Sequence, residues 1–86
     1  MTVSGPDRGR PERPLDQLDP GERGVIMRLV GDNGIVRRLM ELGLVPGTLV
    51  EVVRRAPLGD PVEVRQRQIH LSIRRSEAAG IHVEPR

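Results

Sequence analysis

The stretch from Arg38 to Thr48, RLMELGLVPGT, places the end of a helix, a chain reversal and the start of a strand in immediate succession. Apolar residues with helical spacing precede Gly43, and a glycine just after a helix readily takes the left-handed backbone conformation that ends it. Pro46 and Gly47 suit the second and third positions of a type II β-turn, where proline fixes φ and glycine takes a positive φ. The stretch therefore predicts a short helix that passes into a strand through a glycine-dependent corner.

The helix is predicted from about Gly34 to Leu42, with an apolar face made of Val36, Leu39 and either Met40 or Leu42. Asp32 or Asn33 lies just upstream and can accept a hydrogen bond from a free backbone N–H of the first turn. Leu44 is expected to fold back against Leu39 in a Schellman arrangement, which satisfies the last carbonyl groups of the helix.

Alternating or β-branched apolar runs, bounded by glycine, proline and polar residues, predict five short strands: 24–30, 49–55, 62–65, 69–73 and 81–84. The side chains expected to face the core are Val50, Val52, Val62, Val64, Ile69, Leu71 and Ile73, although Leu49 and Val53 fit the opposite register nearly as well. Short helical turns are predicted at Leu15 to Leu18, which covers the core, and at Arg75 to Gly80, which Ser76 begins. At this size, five short strands and one inserted helix must curl into a small all-β barrel.

The chain divides into a tail and one domain. Residues 1–13 are rich in Gly, Pro and Arg without apolar periodicity, so we expect a disordered tail, and residues 14–86 form the barrel domain. The segment APLGDP at 56–61 is expected to form a rigid hairpin tip, because Pro57 and Pro61 cannot join a strand ladder and Gly59 permits the turn. Without cysteine or a membrane-spanning apolar run, the expected location is the cytoplasm.

Composition and motifs argue against several kinds of function. The chain contains no Phe, Tyr or Trp, which disfavours base stacking on single-stranded nucleic acid and aromatic peptide grooves. Ser72 and Ser76 lack the pattern of a nucleophile elbow, so no enzyme is predicted. His70 and His82 are the only imidazoles, and they fall on outward strand positions, whereas a metal site needs three or four converging ligands. We predict no cofactor and no structural metal, and weak metal binding by either histidine stays open.

Arginine is the most distinctive surface residue. The 14 basic residues are all Arg, and 12 acidic residues reduce the net charge to +2. Arginines concentrate in the second half of the chain and can form a basic patch, while Arg38 and Glu41 fall on the helix face opposite the core. The candidate partner-binding residues are therefore Arg38, Glu41, Arg54, Arg55, Arg74 and Arg75.

Several motifs together resemble one known family. They are Leu15 and Leu18 followed by Gly21, then RLMELGL at 38–44, Pro46-Gly47-Thr48, APLGDP at 56–61, and finally Leu71, Arg74, Glu77-Ala78 and Ile81-His82-Val83. With these motifs together, the chain resembles the FeoA family of ferrous iron transport accessory proteins. Members of that family are small cytosolic domains with an SH3-like barrel. One departure is Arg67-Gln68-Ile69, where the family often has a glycine and an aromatic residue, and it leaves the turn type of that hairpin open.

The resemblance implies that the chain acts by binding a partner, the FeoB iron permease, on its cytosolic side. The chain would reach the membrane only through that partner. Two alternatives remain at the level of sequence. One is a small nucleic-acid-binding barrel, such as a ribosome-associated one, that uses the same arginines. The other is a detached form of the related barrel found in metal-dependent repressors, although no DNA-binding helix pair precedes it here.

Overall fold

The computed structural model describes residues 11–86, so most of the predicted tail, 1–10, lies outside the described residues. The elements in chain order are β1 (Arg13–Pro14), a 3₁₀ turn (Leu15–Gln17), β2 (Arg23–Leu29), α1 (Asn33–Glu41), β3 (Leu49–Arg55), β4 (Val62–Gln66), β5 (Ile69–Ile73), α2 (Arg75–Ala78) and β6 (Ile81–Pro85). The five predicted strands and the inserted helix are all present. Sequence analysis missed β1, since it assigned Arg13 to the tail, whereas Arg13 pairs with Val83 of β6.

The strands of the described part of the chain form one antiparallel six-stranded sheet in the order β1-β6-β2-β3-β4-β5. The register shifts within the β2–β6 pair and again within the β3–β4 pair. Such bulges bend and twist a strand, so they allow a small sheet to curl around one core. The β4–β5 pair is uninterrupted from Val62 opposite Ile73 to Gln66 opposite Ile69. Within residues 11–86, no helix combines the length and the apolar composition needed to cross a bilayer.

The core confirms the predicted strand registers, with one error. The buried apolar residues are Leu15, Leu18, Ile26, Leu39, Leu44, Val50, Val52, Val62, Val64, Ile73, Ala78, Ile81 and Val83. Leu71 is partly buried against this cluster. Ile69 was predicted to lie in the core, but 52% of it is exposed, because it is the last pair of the hairpin and lies at the rim of the barrel. Alternation predicted its direction correctly but could not predict its depth.

The corner after α1 is formed as predicted. The Asp32 side chain accepts a hydrogen bond from the Ile35 N–H at 3.0 Å and caps the helix. Gly43 has φ of 97°, and the Leu44 N–H donates to the Leu39 carbonyl at 3.0 Å, which is the long bond of a Schellman motif. The next reversal is closed by a 3.1 Å bond from the Thr48 N–H to the Val45 carbonyl.

Two other connections have local hydrogen bonds of their own. In the predicted tip, the Gly59 N–H donates to the Ala56 carbonyl at 2.7 Å, and the Ala56 N–H donates to the Pro61 carbonyl at 3.1 Å. The N-cap of the second helical turn is Arg74, two residues before Ser76, which was predicted to begin the turn and lies inside α2. The Arg74 backbone N–H donates to the Glu77 carboxylate at 2.9 Å.

Candidate partner-binding site

Arg38 joins the two helices instead of standing free on the surface. Its guanidinium group forms an ion pair with the carboxylate of Glu77, which is only 7% exposed. The other oxygen of Glu77 accepts the Arg74 backbone N–H, so both oxygens of this buried carboxylate are satisfied. Removing Arg38 would leave a buried charge with one partner fewer, which is costly. Arg38 therefore has a structural role, although 53% of its side chain remains accessible.

The outer side of α1 carries the other predicted helix residue. Glu41 is exposed, as is Arg37 four residues before it. Residues at this spacing are neighbours on a helix surface. Met40, predicted as a possible core residue, is 41% exposed and lies between them in sequence. This side of α1 therefore offers charged and apolar groups together.

The two arginines at the end of β3 have different environments. Arg54 lies opposite Glu63 on β4, and its Nε is 3.3 Å from the Glu63 carboxylate, with the Arg54 side chain 61% and the Glu63 side chain 37% exposed. Arg55 is half-buried, and its guanidinium donates a hydrogen bond to the backbone carbonyl of Leu18. Arg55 thus anchors the segment after the 3₁₀ turn to β3, whereas Arg54 is exposed.

The arginines around α2 also differ. The Arg75 backbone N–H donates to Asp60 at 3.0 Å, and its Nε is 3.7 Å from the Asp16 carboxylate. Arg75 therefore links α2 to the hairpin tip and to the 3₁₀ turn. Arg74 is exposed, and its side chain forms no ion pair within residues 11–86.

Three arginines of the predicted basic patch are paired with acidic side chains. Arg65 on β4 pairs with Glu51 on β3 at 2.5 Å, in addition to the pairs made by Arg54 and Arg75. Alternating charges across neighbouring strands do not produce the continuous positive surface that phosphate binding requires. The structure therefore gives little support to the nucleic-acid alternative.

The two histidines lie on different strands of the sheet. His70 is exposed on β5, at one end of the sheet, while His82 is half-buried on β6 and pairs with Pro14 and Arg28. Within residues 11–86, no group of three His, Asp or Glu side chains comes together as possible metal ligands.

Sequence analysis missed two features, one buried and one on the surface. The first is the buried Gln66, 8% exposed, whose Nε2 donates to the Gly43 carbonyl at 2.7 Å and holds the corner against β4. Its inward position in the alternation of β4 could have revealed it. The second is a set of exposed apolar residues: Met27, Val30, Ile35, Met40, Leu42, Leu49, Leu58 and Ile69. The favoured register of β3 already placed Leu49 outward, but no sequence pattern marks Met40, Leu42 or Ile69 as exposed, because their exposure depends on how far the helix or strand extends past the barrel.

The fold and these motifs agree with known proteins. Residues 13–85 match the FeoA domain family. The chain is 41% identical over 70 residues to the Fe(2+) transport protein A/Fe(2+) transporter FeoB fusion protein of Porphyromonas gingivalis, covering 81% of this chain but only 8% of that protein. The whole fusion protein is thus far longer than the region shared with this chain.

Solved structures give the same assignment. The FeoA protein of Chlorobium tepidum is 44% identical with a TM-score of 0.77, over 81% of this chain and 67% of that one. The zinc complex of Stenotrophomonas maltophilia FeoA, described as a prokaryotic SH3 domain protein, is 29% identical with a TM-score of 0.72, over 84% and 93%. A manganese-dependent transcriptional repressor at 19% identity and a TM-score of 0.82, over 92% and 44%, shares the fold. The all-β SH3-like barrel is confirmed, and the chain belongs to the FeoA family of ferrous iron transport.

Proposed function

We propose that this domain modulates ferrous iron uptake by binding the cytosolic part of a FeoB-type permease. One observation carries the proposal: in Porphyromonas gingivalis, a region 41% identical to this chain is part of a protein that is a fusion with the Fe(2+) transporter FeoB. Fusion holds two modules at a high effective concentration, which favours modules that act on each other. As separate chains, the two must associate through a specific surface. The domain would work in the cytoplasm and would need no catalytic group of its own.

We choose the proposed contact residues from those predicted residues that are not needed to hold the domain together. Arg38 and Arg55 hold Glu77 and the Leu18 carbonyl, so they are unsuitable as the main contacts. Glu41 is exposed beside Met40, and methionine is enriched where proteins associate. We therefore assign the helix part of the contact to Met40 and Glu41.

The strand part of the contact is assigned to Arg54 and Arg74. Both side chains are exposed, and Arg54 is held only by a surface ion pair to Glu63. Exposed pairs of this kind contribute at most about 1 kcal/mol, so Arg54 can exchange Glu63 for a partner group at low cost. Arginine also suits an interface centre, because its planar donor group binds carboxylates in a defined geometry.

The test is a calorimetric titration of the domain with the isolated cytosolic domain of the FeoB permease from the same genome. We expect saturable binding that is weakened at least about tenfold, or about 1.4 kcal/mol, by Met40→Ser with Glu41→Arg, or by Arg54→Ser with Arg74→Ser. Arg28→Ser is the matched control, because Arg28 is exposed on β2 and paired with Glu12 at 3.0 Å. If both double variants keep their fold by circular dichroism and bind like the wild type, the assigned surface is wrong.

A salt series distinguishes the proposal from nucleic-acid binding. Phosphate contacts lose affinity steeply with salt, whereas an interface with apolar contacts changes much less. We expect binding to the permease domain to persist at high salt. Absence of that binding, together with retardation of RNA at low salt, would contradict the proposal and favour the nucleic-acid alternative.

A further inference from the structure

Strand β5 forms one end of the sheet, and within residues 11–86 it pairs only with β4. The hairpin loop between them holds two residues, so Gln66 and Ile69 must form a pair with two mutual hydrogen bonds. In an antiparallel ladder such pairs recur at every second residue. The backbone groups of His70 and Ser72 therefore point away from β4, toward the open edge.

This edge is also accessible. Ile69 is 52% exposed, His70 and Ser72 are exposed, and Leu71 is only half-buried. Of the five longer strands that the structure describes, β5 has the fewest buried residues, since only Ile73 is buried. An added strand would reach the backbone of β5 without displacing any element that the structure describes.

The two ends of the sheet are protected very differently. Proteins protect edge strands with short length, charges, prolines or bulges. At the opposite end, β1 is two residues long and consists of Arg13 and Pro14. In contrast, β5 has five residues, IHLSI, without Asp, Glu, Arg or Pro, and its register is unbroken. An unprotected edge of this kind is a template for strand addition.

We propose that the β5 edge binds an extended segment of a partner polypeptide as an additional strand. The ladder would supply affinity, and the row formed by Ile69 and Leu71 would select apolar side chains at alternate positions of the segment. Arg67 precedes β5 and Arg74 follows it, both exposed and neither in an ion pair in the part of the chain that the structure describes. The segment is therefore one with alternating apolar residues and acidic residues at its ends.

A second copy of the chain fits this edge less well. Antiparallel pairing of β5 with itself, with His70 opposite Ser72, would place Arg67 opposite Arg75 of the other copy and Gln68 opposite its Arg74. Like charges opposite each other on neighbouring strands are destabilising. An acidic segment replaces that repulsion with attraction. The inference does not depend on which protein supplies the segment, and its surface shares only Arg74 with the proposed permease contact.

The test is an NMR titration of the ¹⁵N-labelled domain with a short synthetic peptide that alternates valine and threonine and has glutamates at both ends. We expect saturable shifts of the His70 and Ser72 amides and a dissociation constant on the order of 1 mM, since the buried surface is small. Hydrogen exchange at those two amides should slow at least about tenfold on saturation. The same peptide with lysines in place of the glutamates should bind more weakly.

A pair of variants isolates the ladder. Ser72→Pro removes an N–H that β4 does not use, and proline is tolerated at an edge whose N–H faces solvent. We expect it to weaken peptide binding at least about tenfold, while Ser72→Ala, which keeps the N–H, binds like the wild type. Unchanged amide shifts of β4 would verify the fold of both variants. If Ser72→Pro does not fold, the titration of the wild-type domain still tests whether the peptide binds at the β5 edge.

Three results would overturn the proposal. One is the absence of shifts at His70 and Ser72 in the wild type at saturating peptide or at its solubility limit. Another is full binding by a folded Ser72→Pro variant, which would place the peptide elsewhere. The third is a concentration-dependent shift of the same two amides without peptide, which would assign the edge to a second copy of the chain.

Discussion

The corner after α1 and the end of the β4–β5 hairpin both reverse the chain, but they are specified differently. In the corner, each turn is closed by a bond between near neighbours, such as the Gly43 N–H to the Met40 carbonyl at 2.9 Å. At the hairpin end, the buried Gln66 bonds to Gly43, which is 23 residues away in sequence. Local stereochemistry therefore defines the corner, whereas tertiary contacts define the hairpin end. Because this Gln66 hydrogen bond joins the two regions, we expect their contributions to stability to be coupled.

The largest effect on stability is expected from Gly43→Val, which changes the glycine that the corner requires. The residue has φ of 97°, and a Cβ at this position would lie 2.8 Å from Gln66 Nε2. A β-branched residue is strained in this region of φ, and the bond from Gln66 would be lost as well. We expect a loss of about 2–3 kcal/mol in the free energy of unfolding, measured by urea denaturation. An unchanged midpoint would show that the corner does not need glycine.

Gln66→Ala tests whether the hairpin end supports the corner. The change removes the donor to the Gly43 carbonyl and empties a buried position. We expect a loss of about 1–2 kcal/mol. In a double-mutant cycle with Gly43→Ala, the two effects should differ from additivity by about 0.5 kcal/mol or more, because the residues are in contact. Additive effects would show that the two regions are independent.

The corner could be predicted from sequence and the hairpin end only in part. The conformations of Gly43, Pro46 and Gly47 were predictable because each adopts a backbone conformation that its own chemistry favours. Ile69 was placed in the core because alternation gives direction and not depth, and its 52% exposure is set by where the barrel ends. Strand β1 was missed because two residues cannot show a period.

The surface was the least predictable part. Arg38 and Arg55 were assigned to partner binding because charged residues on an outward face are usually free. In the folded chain they contact Glu77 and the Leu18 carbonyl, which lie 39 and 37 residues away in sequence. Only the folded chain brings such groups together, so spacing along the sequence contains no signal for them.

Arg67→Gly should stabilise the hairpin end. Arg67 has φ of 58° at the first of the two loop positions, a region that favours glycine. Relief of that strain, partly offset by the greater entropy of glycine in the unfolded chain, should raise the free energy of unfolding by about 0.5–1 kcal/mol. Gln68→Gly is the matched control and should destabilise, because Gln68 has no positive φ. A melting temperature lowered by Arg67→Gly would contradict this account of the turn.

The smallest effect is expected from Ile69→Ala, at about 0.5 kcal/mol or less, because the side chain is half-exposed. Ile73→Ala removes the same groups from the other end of β5, where the side chain is 2% exposed, and should cost about 2 kcal/mol or more. Thermal denaturation of the two variants side by side measures the difference. Equal losses would show that Ile69 contributes to the core after all.

Ferrous iron uptake by proteoliposomes that contain the FeoB permease of the same genome is the most direct test of the proposed function. The initial uptake rate is measured while the purified domain is added over a range of concentrations. We expect a saturable change in rate with wild-type domain and with Arg28→Ser, and a weakened response with Met40→Ser plus Glu41→Arg. A rate that stays the same at every concentration of the folded wild-type domain would contradict the claim that it modulates the permease.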